Sequence, residues 1–222
     1  NILYKENIKV KIKWFGHSCF LITADNGVSV LMDPFDKTVG YKVPKVAADI
    51  VSTSHDHFDH NYTEAMQGEF FHVNKTGKFS HKEIGVVGVA TFHDEENGTQ
   101  RGKNTIYKFI VDGIHICHCG DLGHILTPEQ VEKIGQVDIL LLPVGGFATI
   151  GPEQAIEVTN LLNPSLIIPM HFQTEVLKFP LAGVESFLEK MGGGKYIDKQ
   201  EVEFDKKSLL RLSANVMVLQ YC

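Results

Sequence analysis

Ser54-His55-Asp56-His57-Phe58-Asp59-His60 places three histidines and two aspartates directly behind the apolar run Ile50 to Thr53. Imidazole nitrogen and carboxylate oxygen are ligands for Zn²⁺ and related divalent ions, and few other tasks need so many of them together. In an extended stretch after a strand, residues i and i+2 point the same way, so His55 and His57 can converge on one ion while Asp56 turns aside. Beyond Phe58 the chain turns, and Asp59 with His60 leaves on a new heading that can serve a second ion, as two-metal hydrolytic sites require. The bland alternative is a histidine-rich surface loop, in a chain that holds 11 His. With His and Asp each at about one residue in twenty, His-x-His-x-Asp-His arises by chance in roughly one such chain per thousand, which favours the metal reading.

A binuclear site needs further ligands, and they are expected where strands give way to loops. His93 closes the apolar run Ile84 to Phe92, Asp121 follows Ile114 to Cys119 through a glycine, and His171 follows Leu166 to Met170. In layered α/β proteins, sites collect at such strand ends. A lone strand-end histidine is more often structural; the joint placement of these three is what singles them out.

The chain resembles the metallo-β-lactamase superfamily, whose signature is His-x-His-x-Asp-His, a later His, a bridging Asp and a last His. Carried over position by position, the resemblance implies that His55, His57 and His93 hold a first metal, that Asp59, His60 and His171 hold a second, and that Asp121 bridges them. Trp14-Phe15-Gly16-His17-Ser18, Met32-Asp33-Pro34-Phe35, Arg101-Gly102-Lys103-Asn104-Thr105 and Gly120-Asp121-Leu122-Gly123 are similar to a branch of stand-alone Zn-dependent hydrolases of β-lactamase fold. That branch is related to ascorbate-phosphate lactonases and phospholipase-D-type N-acylethanolamine enzymes. The similarity runs from about Ile8 to His171 and speaks to fold and site more than to substrate.

Bulk properties fit this picture. The 222 residues, 43% hydrophobic and 22% charged, are ordinary for a soluble globular chain and read most simply as one domain, 1–222. No apolar stretch approaches the roughly 18 residues of a membrane-spanning helix, and Asn1 to Lys13 mixes charge with Ile and Val unlike a signal peptide. Cys19, Cys117, Cys119 and Cys222 lie in or beside apolar runs without framework spacing, which points to reduced thiols and a cytoplasmic home. A net charge of -6 argues against nucleic acid as the main ligand, leaving a small-molecule substrate. Two bound divalent ions would make the pocket cationic within that acidic exterior, which suits an anionic substrate. No pattern specifies an oligomeric state, and a homo-oligomer stays open.

Short β-branched runs dominate the first half: Ile8 to Trp14, Cys19 to Thr23, Val28 to Met32 and Ile50 to Thr53, with Asp25-Asn26-Gly27 a hairpin turn. A helix is predicted after Asn61, then strands at Phe70 to Asn74, Gly77 to Ser80 and Ile84 to Phe92. A polar loop covers Asp94 to Lys103. Thr105 to Val111 and Ile114 to Cys119 form a hairpin across Asp112-Gly113. Thr127-Pro128-Glu129-Gln130 and Gly151-Pro152-Glu153-Gln154 each open a helix, around a strand at Asp138 to Leu142. Ala155, Val158, Leu161 and Leu162 supply the second helix with its apolar stripe. A strand at Leu166 to Met170 and a helix at Val184 to Met191, ended by Gly192-Gly193-Gly194, complete an α/β/β/α sandwich. The last 50 residues carry nothing diagnostic.

The expected chemistry is hydrolysis by a metal-bridging hydroxide, since metal coordination lowers the pKa of water from ~15.7 toward ~7. Lactone, ester, amide and phosphodiester bonds all fall within its reach. A ligand set of N and O without thiolate favours Zn²⁺, with Mn²⁺, Fe or Ni²⁺ as alternatives. Asp59 would orient the water or accept its proton. Asp33, at a strand end, could accept the free N–H of a ligand histidine, and the resemblance favours that role over a turn aspartate before Pro34. His17 and His124 are candidates to touch substrate or protonate the leaving group, against an equal expectation of backbone-bonded loop histidines. Arg101 could grip an anionic group, and Gly145-Gly146-Phe147-Ala148-Thr149 would line the same mouth. A rival site at His115, Cys117, His118 and Cys119 has single-residue alternation instead of the knuckle spacing of structural zinc. His72 and His81 read as surface residues. Iron-dependent redox chemistry lacks a flavodoxin-like partner domain here, and a nuclease lacks basic surface and a clamp domain.

Overall fold

The computed structural model describes residues 8–212 and 215–222; the first part of the leader-free reading of Asn1 to Lys13 lies outside them. Five strands open a first sheet: β1 (Val10–Gly16), β2 (Cys19–Thr23), β3 (Ser29–Met32), β4 (Ile50–Ser52) and β5 (Phe71–Val73). A second begins with β6 (Gly77–His81), β7 (Ile84–Phe92), β8 (Lys103–Val111) and β9 (Ile114–His118). It continues through α1 (Pro128–Ile134), β10 (Ile139–Pro143), α2 (Pro152–Leu162), β11 (Leu166–Met170) and α3 (Glu185–Lys190). The chain ends with β12 (Lys195–Ile197), β13 (Glu201–Phe204), α4 (Lys206–Leu209) and β14 (Asn215–Leu219). The sheet orders are β13-β1-β2-β3-β4-β5 and β12-β14-β11-β10-β9-β8-β7-β6.

Side-chain alternation builds the layers. Trp14, Phe20, Val30, Met32 and Ile50 point into the core shared with Val86, Ile106, Phe109, Ile116 and Leu140 of the second sheet. Their neighbours Phe15, Cys19, Leu31 and Val51 point the other way and are buried beneath Phe35, Val39, Tyr41, Ala48 and Leu177. α1 packs on β7, and α2 on β10 and α3. The architecture is thus the α/β/β/α sandwich, with irregular chain covering much of the outer face of the first sheet.

Two local readings are corrected. The segment after Asn61 makes only a 3₁₀ turn, Thr63–Ala65, with no side-chain cap and no buried residue. It has no apolar face with which to dock a longer helix. In α2 the inward stripe is Ala155, Val158, Thr159 and Leu162, the i, i+3, i+4, i+7 set, while Leu161 is 44% exposed. The unread carboxyl-terminal region supplies an edge strand to each sheet and slots β14 beside β11.

The arrangement of strands positions the site. β3 and β4 are parallel, as are β9, β10 and β11, while β1 and β7 run with them through pairs of antiparallel steps. The residues following the carboxyl ends of these strands are His17, Asp33, Ser54 to His60, His93, Asp121 and His171. Crevices at carboxyl ends of parallel strands are where open α/β sheets collect ligands.

Candidate metal centre

All seven side chains expected as ligands meet in one pocket. Asp121 Oδ2 lies 3.1 Å from His93 Nε2, 3.3 Å from His171 Nε2 and 4.0 Å from His55 Nε2, and its Oδ1 lies 3.2 Å from His60 Nε2. Asp59 Oδ2 is 3.6 Å from His60 Nε2. His57 joins His55 and His93, with donor atoms of the three within 4.8 Å of one another. Asp56 does turn aside, accepting from Asn61 Nδ2 at 2.5 Å.

Close backbone approach makes this convergence possible. Gly120, at φ +54, would drive a Cβ to 2.4 Å from Asn104 Oδ1 and 2.5 Å from the Ser54 side chain, and a Cβ on Gly123 would sit 2.3 Å from Asp94 N. Asn104 then fixes the Asp121 loop, accepting from Asp121 N at 3.0 Å and donating to Cys119 O at 2.9 Å. His17, Asp33 and His171 all adopt left-handed backbone, at φ 52, 45 and 50. Such conformations cost energy in non-glycine residues and gather at functional sites. The carbonyl of His17 accepts from Trp14 Nε1 at 3.1 Å and His171 N at 3.3 Å, tying two of these turns together.

Asp33 sets the imidazole tautomers. Its carboxylate, fully buried, accepts from Ser54 N at 2.8 Å, Ser54 Oγ at 2.5 Å and His60 Nδ1 at 2.8 Å. With its proton given to Asp33, Ser54 Oγ accepts from His55 Nδ1 at 2.9 Å. Both histidines therefore spend Nδ1 as a donor and turn Nε2 into the pocket. His55 Nε2, His60 Nε2 and Asp121 Oδ1 are buried and make no hydrogen bond among the described residues. Buried polar atoms that face one another without a hydrogen bond are costly unless a cation lies among them, so this donor set fits a metal.

Sequence comparison agrees. The family described as Beta-lactamase superfamily domain matches residues 11–171. The chain belongs to the metallo-β-lactamase superfamily. A crystal structure from Thermotoga maritima, described as a Zn-dependent hydrolase of this superfamily, is 40% identical, with a TM-score of 0.81 over 96% of this chain and 100% of that one. A UPF0173 protein of Pyrococcus abyssi is 29% identical over 185 residues, 74% of this chain and 84% of the relative. A UPF0173 metal-dependent hydrolase of Thermococcus kodakarensis is 28% identical over 195 residues, 74% and 85% of the two chains.

The electrostatics of this superfamily site favour a cation. Burial, and then the charge of His60, pushes the His55 imidazole down to about 3; burial and His171 push His17 down to about 4. Neutral imidazole is the ligating form. Burial would raise Asp121, but His171 and His60 hold its carboxyl well below the usual range. Burial works against a proton on His60, yet Asp121 and Asp59 hold its pKa well above the ordinary value. The negative charge of Asp121 and Asp59 is thus focused where His60 Nε2 points, and a cation there would take the place of a second proton on that ring.

The remaining candidates divide. His17 Nε2 lies 3.2 Å from Asp59 Oδ2, and its ring sits 4.3 Å from that of His171 and 5.0 Å from that of His60. It is therefore inside the site. His124 is a correction: Nδ1 donates to Ile125 O at 2.7 Å and Nε2 accepts from Phe92 N at 3.1 Å. Both nitrogens are committed to backbone, so it has no proton to give a leaving group. Thr149 donates its hydroxyl to Ile150 O at 3.3 Å, and the exposed side chain of its loop is Phe147. Arg101 donates to Phe147 O at 3.3 Å and lies 5.8 Å from that ring's centre, joining the loop after His93 to the loop after β10. Asp94 shapes the first of these loops by accepting from the amides of Glu96, Gly98, Gln100 and Arg101.

The rival site at β9 does not form. His118 donates from Nε2 to Ser18 O at 2.7 Å and accepts Gly120 N on Nδ1 at 3.2 Å, and the candidate metal-binding groups among the described residues all lie in the centre above. Ser54 and Asn104 were given no role by the sequence. The only signal for Ser54 is its place between a strand end and the first ligand. Ser54→Ala should weaken zinc binding about 10- to 100-fold through loss of the His55 anchor, read by calorimetric titration of the metal-free protein. Unchanged affinity would remove Ser54 from this role.

Proposed function

We propose that this chain is a metal-dependent hydrolase that uses two divalent ions, zinc in the first instance, to cleave a small, anionic ester, lactone or phosphodiester. The observation that carries this reading is the set of buried, unpartnered atoms His55 Nε2, His60 Nε2 and Asp121 Oδ1 directed into one space. His55, His57 and His93 would hold one ion and Asp59, His60 and His171 the other, with Asp121 shared. When bound, the ions supply a water of lowered pKa and a Lewis acid for the bond to be cleaved.

The residues of the chain do the rest. Asp33 acts behind the ligands, fixing the ring of His60 directly and that of His55 through Ser54. Asp59 is held by His17 Nε2, and the charge of His60 and the hydrogen bond from His17 outweigh its burial to lower its pKa, so it is ionised and able to accept a proton. Arg101 keeps guanidinium N–H groups free beyond its bond to Phe147 O and can receive an anionic substituent.

The test is metal analysis of protein purified without added metal, followed by assays of lactones and bis-p-nitrophenyl phosphate with Zn²⁺, Mn²⁺, Fe²⁺ and Ni²⁺. About two equivalents of ion and metal-dependent turnover are expected. A protein that binds no divalent ion, or that turns over equally well in chelator, is not this enzyme.

A further inference from the structure

Phe58 stands between His57 and Asp59, and its ring is 57% exposed. It belongs to neither apolar cluster of the described residues, so folding gives no reason for a large apolar side chain here. Its one aromatic neighbour is Phe179, which it meets edge to face, with centroids 6.2 Å apart and planes at 77°. Phe179 in turn lies 5.8 Å from the ring of His17, the residue that reaches Asp59 and stacks near His171. Three rings therefore make a continuous wall from solvent to the donor atoms. Val176, 39% exposed, extends the apolar character of the segment that carries Phe179.

An edge-to-face pair leaves ring surface open to a third flat group, and such contacts favour centroid spacings of about 4.5 to 7 Å. From this geometry we propose that Phe58 and Phe179 form a subsite for an aryl substituent on the compound cleaved at the metal centre. The substrate class is then an aryl-bearing ester or phosphoester: a polar, anionic head over the donors and a flat apolar group on the phenylalanine wall. The inference rests on the hydrolase reading and adds the apolar half of the substrate to it. The occupant follows from continuity, because Phe58 is flanked in sequence by His57 and Asp59, and the rings of Phe58, Phe179 and His17 lead to the donor atoms.

Metal-loaded protein titrated with phenylphosphonate and with methylphosphonate tests this without turnover, since the two probes share a head and differ only in the apolar group. The phenyl compound should bind about tenfold more tightly or better. Phe179→Ala and Phe58→Ala should each bring the phenyl-to-methyl ratio down severalfold, with metal content measured alongside, and Phe58→Tyr should restore it. Tyr196→Ala, at a ring 59% exposed on β12, should leave the ratio as it is. Equal binding of the two probes by the wild type, or a ratio indifferent to both alanine variants, overturns the subsite alone. Failure of both phosphonates to bind overturns it together with the hydrolase reading.

Discussion

Asp121→Ala should yield a folded protein that retains little metal and loses at least about 10³-fold in kcat/KM toward whichever test ester the wild type cleaves, a loss of several kcal/mol in transition-state stabilisation. Its carboxylate is the one group within 4.0 Å of His55, His60, His93 and His171 together. On the proposed two-ion reading, removing it takes an anionic donor from both ion positions at once, whereas loss of His57 would touch only the exposed side. Asp121→Asn keeps the side-chain shape and the backbone bond to Asn104 while deleting the charge, so it should fall between wild type and alanine. Metal content by mass spectrometry and initial rates on the same samples provide the check. Retention of two ions and normal turnover in Asp121→Ala would end the assignment.

Asp33→Ala should have the largest effect on folding. Three donors converge on this fully buried carboxylate, and each left without an acceptor costs about 1–3 kcal/mol, so a loss of about 3–5 kcal/mol is expected. Asp33→Asn should do better than alanine, since asparagine tolerates left-handed backbone and can still accept through its amide oxygen. The pH dependence has a definite sign. Burial would raise the Asp33 pKa, but His118 and the hydrogen bond from His60 hold it below the ordinary carboxylate value. A depressed carboxyl stabilises the fold above the unfolded value of about 3.9, and that contribution fades as pH falls through the folded value. Metal-free wild type should therefore lose stability in urea below about pH 4 more steeply than Asp33→Asn. Parallel acid limbs for the two proteins would show that Asp33 is not the group responsible.

The convergence of the candidate ligands was legible because metal chemistry is written in residue type, and strand ends in alternation of apolar residues. Ser54 to His60, His93, Asp121 and His171 needed only those two signals. Ser54 and Asn104 act across the fold, to Asp33 21 positions away and to Asp121 17 positions away, and no local pattern announces such bonds. His124 misled for a related reason: its place in Gly120-Asp121-Leu122-Gly123-His124 suggests the pocket, but the turn points its ring into backbone groups of Phe92 and Ile125. The short strands β12, β13 and β14 exist by pairing with partners already formed, so their own composition says little.

Val10 pairs with Phe204, so the earliest described strand takes its outer neighbour from the far end of the described fold. The sheet that carries His17, Asp33 and the histidine loop cannot close its flank until β13 has been made. Non-local pairing of this kind makes folding slow. The nascent chain thus exposes the side chains proposed to hold metal well before the architecture that orders them is complete.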